Sequence, residues 1–320
     1  MNSDFIFLAC TKTFIIWKAA LPAMLFGCWC GVVLRRGKIF IFFSKLTRPL
    51  TWLGKIPKEL GPFFILCLLN RYAANALLAD CAKTNKLSTN TITAVYLMGS
   101  LPTGIYFTAF YFTPILINSL GIELGSIFIV IHILLSLIVT CTGIFWQRLI
   151  NQNWNNFSFQ SNVSPQNNIS KADTFFQDLN SAWLQFRSIA VIFMPVTFFF
   201  ALLLSTTWLE QLAPTLDQIL QSFSLSTAGV MVIIAGLPTL IAAIGLAGSL
   251  FAQGLLSAPE VIFTLLLAAF GHNVYDSCSR VWPSNVAIFG LKLGTSLTLV
   301  GANLYLGTVA IAIFITYNFL

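Results

Sequence analysis

Apolar residues run along this chain in blocks too long for the elements of a soluble domain, and the polar residues between them gather in short clusters. Phe14 to Leu34, Ser126 to Trp146, Phe186 to Ser205 and the stretch from Gly294 to Tyr317 each offer roughly 20 residues, enough for one helix to cross a ~30 Å hydrocarbon core. Two further helices are predicted to carry polar interruptions. The helix from Thr91 to Asn118 contains Gly99-Ser-Leu-Pro-Thr-Gly104, where two glycines and a proline should free backbone groups beside the hydroxyls of Ser100 and Thr103. A helix capped at Ser257-Ala-Pro-Glu260 meets Gly271-His-Asn-Val-Tyr-Asp276, read as a second break at His272 and Asn273.

The segment from Gly61 to Lys83 has Asn70, Arg71 and Asn75 at its middle. As a plain span it would hold Arg71 near the bilayer centre, at about 2.5–3.5 kcal/mol on insertion scales. As a hairpin entering and leaving on one side, each limb has roughly 10 residues and reaches only the midplane. Gly229 to Phe251 is a second such segment, broken at Gly236-Leu-Pro-Thr239, so Pro238 and Thr239 would lie at its tip.

Between the first span and the first hairpin, Arg35 to Glu59 mixes seven basic residues with Phe40, Phe42, Phe43 and Trp52. A short helix here, limited by Pro49, would lie in the headgroup region. Trp208 to Phe223 is the matching stretch later in the chain, carrying Glu210 and Asp217 with no Lys or Arg. Asn151 to Asp178 is the extended polar region and reads as a surface linker, dividing the chain into residues 1–150, a linker 151–181 and residues 182–320.

The two halves repeat. A shift of 169 residues pairs Ala74 with Ala243, Ser88 with Ser257, Pro114 with Pro283, Gly121 with Gly290, and Gly125 with Gly294. Punctuation matching at one offset is a duplication signal. Charge then arbitrates topology. With both hairpins, three crossings separate the basic loop from the acidic one, and nearly all Lys and Arg fall on the side of Arg35 to Glu59. With plain spans, Lys83, Lys86, Arg148, Lys171 and Arg187 move to the other side. The positive-inside rule selects the hairpins and an inverted repeat. The fold expected is an all-α polytopic membrane protein: about six transmembrane helices, two re-entrant hairpins and two interfacial amphipathic helices. It would sit in the cell (inner) membrane with Arg35 to Glu59 cytoplasmic.

Composition agrees with the membrane class. Of 320 residues, 57% are hydrophobic and 8% charged, against about 25% charged in ordinary soluble domains. The formal charge of +7 belongs with basic and aromatic residues beside apolar spans, a membrane-surface pattern and not a nucleic-acid one. Seven cysteines lie mostly within or beside apolar segments with no C-x-x-C spacing, so neither a metal nor a cofactor is expected. The partners expected are membrane lipid and a small solute or ion, with room for a homo-oligomer or a membrane partner.

The basic interfacial helix with LTRPL, the apolar hairpin, the helix capped at LST, the SLPTG break, the Pro114 to Gly121 turn and the IFGLKLG turn together resemble the nucleoside recognition, or gate domain, membrane proteins. That group includes spore-maturation membrane proteins, the gate region of the ferrous-iron transport protein and, more remotely, concentrative nucleoside transporters. The resemblance implies a substrate site at the hairpin tips and helix breaks. The matching positions are Asn70, Arg71, Asn75, Ser100, Thr103, Pro238, Thr239, His272, Asn273 and Asp276. The acidic and glutamine-rich tips of the nucleoside transporters are absent, and no G-x-x-x-x-G-K-[ST] phosphate loop occurs.

His272, Asp276 and Arg280 would share one face of a continuous helix. They read as a structural ion pair, or as a proton or cation site with Asp276 titrating and His272 relaying. Arg71 reads as an anion clamp or as a donor to carbonyls freed by broken helices. His132, alone in an apolar helix, reads chiefly as a packing residue. No nucleophile with a base nearby is visible, so the chain is not read as an enzyme. The expectation is a transporter or permease-like protein for a small polar or anionic solute or ion, or else a non-transporting scaffold or partner subunit that keeps the same fold.

Overall fold

A computed structural model describes residues 47–85, 87–150 and 225–318, with scattered helical positions between 7 and 29 and between 179 and 198. The basic loop before Thr47, the apolar blocks Phe14 to Leu34 and Phe186 to Ser205 except for those positions, the polar linker up to Asp178, and Trp208 to Phe223 lie outside the described residues. What is described is helical, and no strand occurs among these residues.

In chain order the helices are α1 (Arg48–Leu53), α2 (Gly61–Leu69), α3 (Arg71–Asn85), α4 (Thr89–Met98), α5 (Ser100–Phe107) and α6 (Thr113–Ile150). After the linker come α7 (Thr227–Gly236), α8 (Leu240–Ala252), α9 (Ala258–Asp276), α10 (Trp282–Phe289) and α11 (Leu291–Tyr317). Three stretches are long and apolar enough to cross a membrane: Thr113–Ile150, Ala258–Phe289 and Leu291–Tyr317. The chain is an all-α protein with the helices of a membrane protein.

The same local devices recur 169 residues apart. Asn70 (φ −160°, ψ 112°) and Thr239 (φ −158°, ψ 124°) are extended residues immediately before α3 and α8; Asn70 also ends α2, whereas α7 stops at Gly236 and a two-residue turn follows it. The Asn70 side chain takes the place of the lost helical bonds, its Oδ1 accepting from the amides of Tyr72 and Ala73 at 2.9 and 3.2 Å, which is N-cap chemistry. Ser88 caps α4 by accepting from the Thr91 amide at 3.2 Å, and Ser257 with Glu260 forms a capping box at the start of α9. Gly121 (φ 77°, ψ 175°) and Gly290 (φ 83°, ψ 166°) occupy a backbone region that is essentially glycine's alone, and there the chain folds back on itself. The following turn packs so closely that a Cβ on Gly125 would meet the Leu116 backbone at 3.2 Å, and one on Gly294 the Asn285 carbonyl at 2.5 Å.

The interruption expected at Gly271 to Asp276 is not there. Helix α9 runs unbroken through His272 and Asn273 to Asp276, and the irregularity follows as a π-helical turn, Ser277–Val281. Its partner is the π-helical turn Thr108–Phe112. The cause is the proline after each turn. Pro283 and Pro114 have no amide to donate and would clash with the carbonyl four residues back, so the chain widens there. Gly271 lies on a helix with no proline between it and the turn, and a lone glycine lowers helix propensity without stopping a packed helix. In the earlier element the chain leaves regular helix at Gly99, where a Cβ would meet Cys67 Sγ at 2.8 Å. At the corresponding crossing later in the chain the small residue has changed sides: a Cβ on Gly236 would lie 2.6 Å from Ala268 Cβ.

The cores are built reciprocally. One cluster joins Phe63, Phe64, Leu78 and Leu97 of the first half to Leu297, Leu304 and Tyr305 of the second. The other joins Leu116, Leu120 and Phe128 of the first half to Ile244, Ala247 and Leu265 of the second. Each cluster therefore draws on residues from before position 151 and from after position 224.

Candidate functional site

The polar residues at the centre of the fold converge from both halves. Asn285 on α10 is fully buried, and its Oδ1 accepts from Asn75 Nδ2 on α3 at 3.0 Å. Its own Nδ2 donates to the Tyr96 hydroxyl on α4 at 3.0 Å and to Thr298 Oγ1 on α11 at 2.9 Å. Thr298 in turn donates to the Gly294 carbonyl at 2.9 Å. Arg71, one turn before Asn75 on α3, places its guanidinium carbon over the Tyr96 ring, 4.9 Å from the centroid. Asp276, at the end of α9, pairs with Arg280 in the π-helical turn.

This polar group is one-sided. Positions 169 residues away from Arg71, Asn75 and Tyr96 hold Leu240, Ile244 and Leu265, and those equivalent to Asp276, Asn285 and Thr298 hold Phe107, Leu116 and Ile129. Leu240, Ile244, Leu265 and Leu116 are buried in the second core. At these paired positions one set of side chains is apolar and the other hydrogen-bonded or charged. Apolar packing of similar shape is commonly as stable as a buried polar network, or more so. Packing alone gives no reason for Arg71 and its neighbours.

The remaining sequence-derived positions are dispersed. Ser100 is half-buried at the start of α5, and Thr103 is buried with its hydroxyl on the Gly99 carbonyl at 2.9 Å. The amide freed near Gly99 belongs to Leu101, and it donates to Thr140 Oγ1 on α6 at 2.8 Å. Pro238 and Thr239 are exposed. His272 does not join Asp276: its Nδ1 lies 3.1 Å from the Leu237 carbonyl beside the second interruption, where it meets a backbone group left over from α7. Asn273 is half-buried with Ser277 Oγ at 3.5 Å. His132 lies on α6 against α11, its Nδ1 3.3 Å from the Tyr305 hydroxyl and its ring edge-on to Phe112. Among the described residues no group of three His, Cys, Asp or Glu side chains is close enough to hold a metal ion.

The sequence-derived positions include Asn70, Arg71, Asn75 and Asp276 and do not include Tyr72, Tyr96, Thr140, Asn285 or Thr298. Asn285 had a signal, since it is a lone amide in the apolar WPSNVAIF run. Tyr96 and the threonines look like ordinary apolar-helix residues until the other half is brought against them.

No family model matches the sequence, and no solved structure matches it. Two curated proteins of Methanocaldococcus jannaschii are similar to it. The uncharacterized protein MJ1589 is 24% identical over 262 residues, covering 80% of this chain and 98% of its own. The uncharacterized protein MJ0871 is 24% identical over 245 residues, covering 74% of this chain and 73% of its own.

Proposed function

We propose that this chain is an integral membrane transporter or permease-like protein of the gate type, built on an inverted repeat, that moves a small polar or anionic solute or ion past Arg71. In this reading α2–α3 and α7–α8 are re-entrant hairpins meeting the midplane from opposite faces, and the Arg35 to Glu59 loop is cytoplasmic. The observation that carries it is the one-sided polar group: charged and hydrogen-bonding residues stand where the equivalent positions hold Leu, Ile and Phe. Interrupted helices with polar residues at the break are how membrane transporters place backbone and side-chain groups at depth. Proteoliposomes loaded with the full chain and offered a panel of small anions and neutral polar solutes test it. Flux that falls in Arg71→Ala and Asp276→Asn supports the assignment, and flux that ignores both substitutions removes these residues from it.

A specific observation favours a second reading, a membrane scaffold or partner subunit that keeps the fold without transport. Much of the polar chemistry is used internally: Asn70 caps α3, Asn75 bonds Asn285, and His272 meets the Leu237 carbonyl. A stoichiometric partner that co-purifies, together with no flux of any solute, would select that reading. Topology is tested separately by cysteine labelling at positions 86 and 217. The hairpin arrangement puts these on opposite sides, position 86 inside; plain spans reverse both.

A further inference from the structure

The end of α6 is tied to the end of α1. Arg148 Nε, on the last turn of α6, donates to the Leu53 carbonyl at 2.7 Å, and the other N–H donors of its guanidinium sit on the two terminal nitrogens. Beside Leu53, Trp52 is 73% exposed, and Arg48, Lys55, Lys58 and Arg148 are exposed as well. Along the sequence, residues 35–59 hold seven basic side chains and one acid, Glu59. Exposed Leu134, Ile138, Cys141, Phe145 and Leu149 follow one another at steps of three and four on α6, so they form one apolar face that runs up to Arg148. That face is about 22 Å long at 1.5 Å per residue, more than the ~15 Å of hydrocarbon in one leaflet. A hollow of about 320 Å³ lies at its end, lined among the described residues by Thr142, Phe145, Trp146, Leu149 and Ile150.

Lys55 is held at φ 49°, the left-handed conformation. The Ile56 amide donates to the Thr51 carbonyl at 3.0 Å and the Lys55 amide to the Trp52 carbonyl at 3.1 Å, the pair of bonds with which a helix commonly ends on glycine. Glycine stands one place earlier instead, at Gly54, where a Cβ would lie 2.5 Å from Met98 Cε. Position 55 is therefore one where glycine would relieve strain, and the turn itself gives no reason for a lysine.

We propose that the corner between α1 and the end of α6 binds one anionic phospholipid, its phosphate held by Arg148 and Lys55 beside Trp52 and an acyl chain laid along the exposed face of α6. Tryptophan and basic residues suit headgroup level, and phosphate oxygens match the donors of a guanidinium. An apolar face that ends in such a group fits a molecule in which a hydrocarbon chain and a negative head are joined. A soluble anion has nothing to lay along Phe145 and Leu149, and a zwitterionic lipid brings no net charge to the basic residues. A second copy docked on the same face would bring like charges together. Lipid binding here requires neither transport nor a choice between hairpins and plain spans.

Native mass spectrometry of the full chain in nonionic detergent tests this, with phosphatidylglycerol and phosphatidylcholine of identical acyl chains as probes. One phosphatidylglycerol should be retained, about tenfold or more tightly than phosphatidylcholine. Lys55→Gly should weaken it about fivefold, the share of one basic residue at an anionic surface, without lowering resistance to unfolding in SDS. Arg148→Gln should weaken it about tenfold or more, and Arg148→Lys should restore part of the loss. Lys292→Gln, which removes an exposed charge at the start of α11, should change nothing. Should Arg148→Gln fail to fold by circular dichroism, Lys55→Gly still decides, because it removes the charge while easing the backbone. Equal retention of the two lipids, no retained lipid, or binding that ignores Lys55→Gly overturns the proposal. So does a loss in Lys292→Gln as large as in Lys55→Gly, or displacement of the lipid by inorganic phosphate. A dimer that carries no lipid also overturns it, and would make the α6 face an interface between two copies.

Discussion

Substituting Asn285 by alanine tests whether the buried amide network is coupled as its geometry requires. The side chain is fully buried and makes three hydrogen bonds, at 2.9 to 3.0 Å. Its partners are not hurt equally. Thr298 keeps its bond to the Gly294 carbonyl, and Tyr96 loses one donor to its hydroxyl. Asn75 Nδ2, only 2% exposed as a residue, is left facing an empty space. One orphaned buried donor costs about 1–3 kcal/mol and each simple lost bond about 1 kcal/mol or less, so Asn285→Ala should destabilise by about 2–4 kcal/mol. Asn75→Ala orphans the other side of the same bond. The double variant has no orphan of that bond, so it should cost less than the two single variants added together. Hydrogen bonds between membrane helices show couplings averaging about 0.6 and reaching about 1.7 kcal/mol, and that is the range expected. The assay is reversible unfolding in mixed micelles with increasing SDS, followed by circular dichroism, for wild type, both singles and the double. Additivity within about 0.3 kcal/mol, or a neutral Asn285→Ala, would refute the network as described.

Backbone and packing predictions use the same assay. Gly121→Ala and Gly290→Ala should each lose about 1–3 kcal/mol and by similar amounts, because both hold a positive φ with extended ψ while a Cβ at either meets nothing within 4 Å. Gly248→Ala should destabilise by about 1–3 kcal/mol, since its Cβ would lie 2.4 Å from the Ser119 carbonyl where the halves cross. Gly245→Ala, one turn away with open space around it, should be neutral or gain up to about 1 kcal/mol of helix propensity, and a matching loss there would sink the packing argument. Thr140→Val keeps the shape but leaves the Leu101 amide unpaired, at a cost of about 1–3 kcal/mol, and faster hydrogen exchange at Leu101 should report it.

Several features were legible because they are local. Ser88 and Ser257 start helices because a hydroxyl there can accept from the first-turn amides, whatever the rest of the chain does. Gly121 and Gly290 mark turns because no side chain tolerates their backbone angles. The break in the second half was misplaced for an equally physical reason. Gly271 and His272 look like punctuation, but the steric demand comes from Pro283 and acts four residues before it, which moves the irregularity to Ser277–Val281.

The sequence by itself determined that this is an apolar, all-helical chain and where most of its helices begin and turn, since length, capping and glycine geometry depend on near neighbours. It also exposed Arg71 as a residue needing a counterpart. Only the tertiary structure decided what that counterpart is. Tyr96 lies 25 positions along the chain from Arg71, and Asn285 lies 210 from Asn75, each brought to its partner by the packing of the helices. Hydrogen bonds and Coulomb forces act over a few ångströms in space, and no local pattern records which distant helix will come within them.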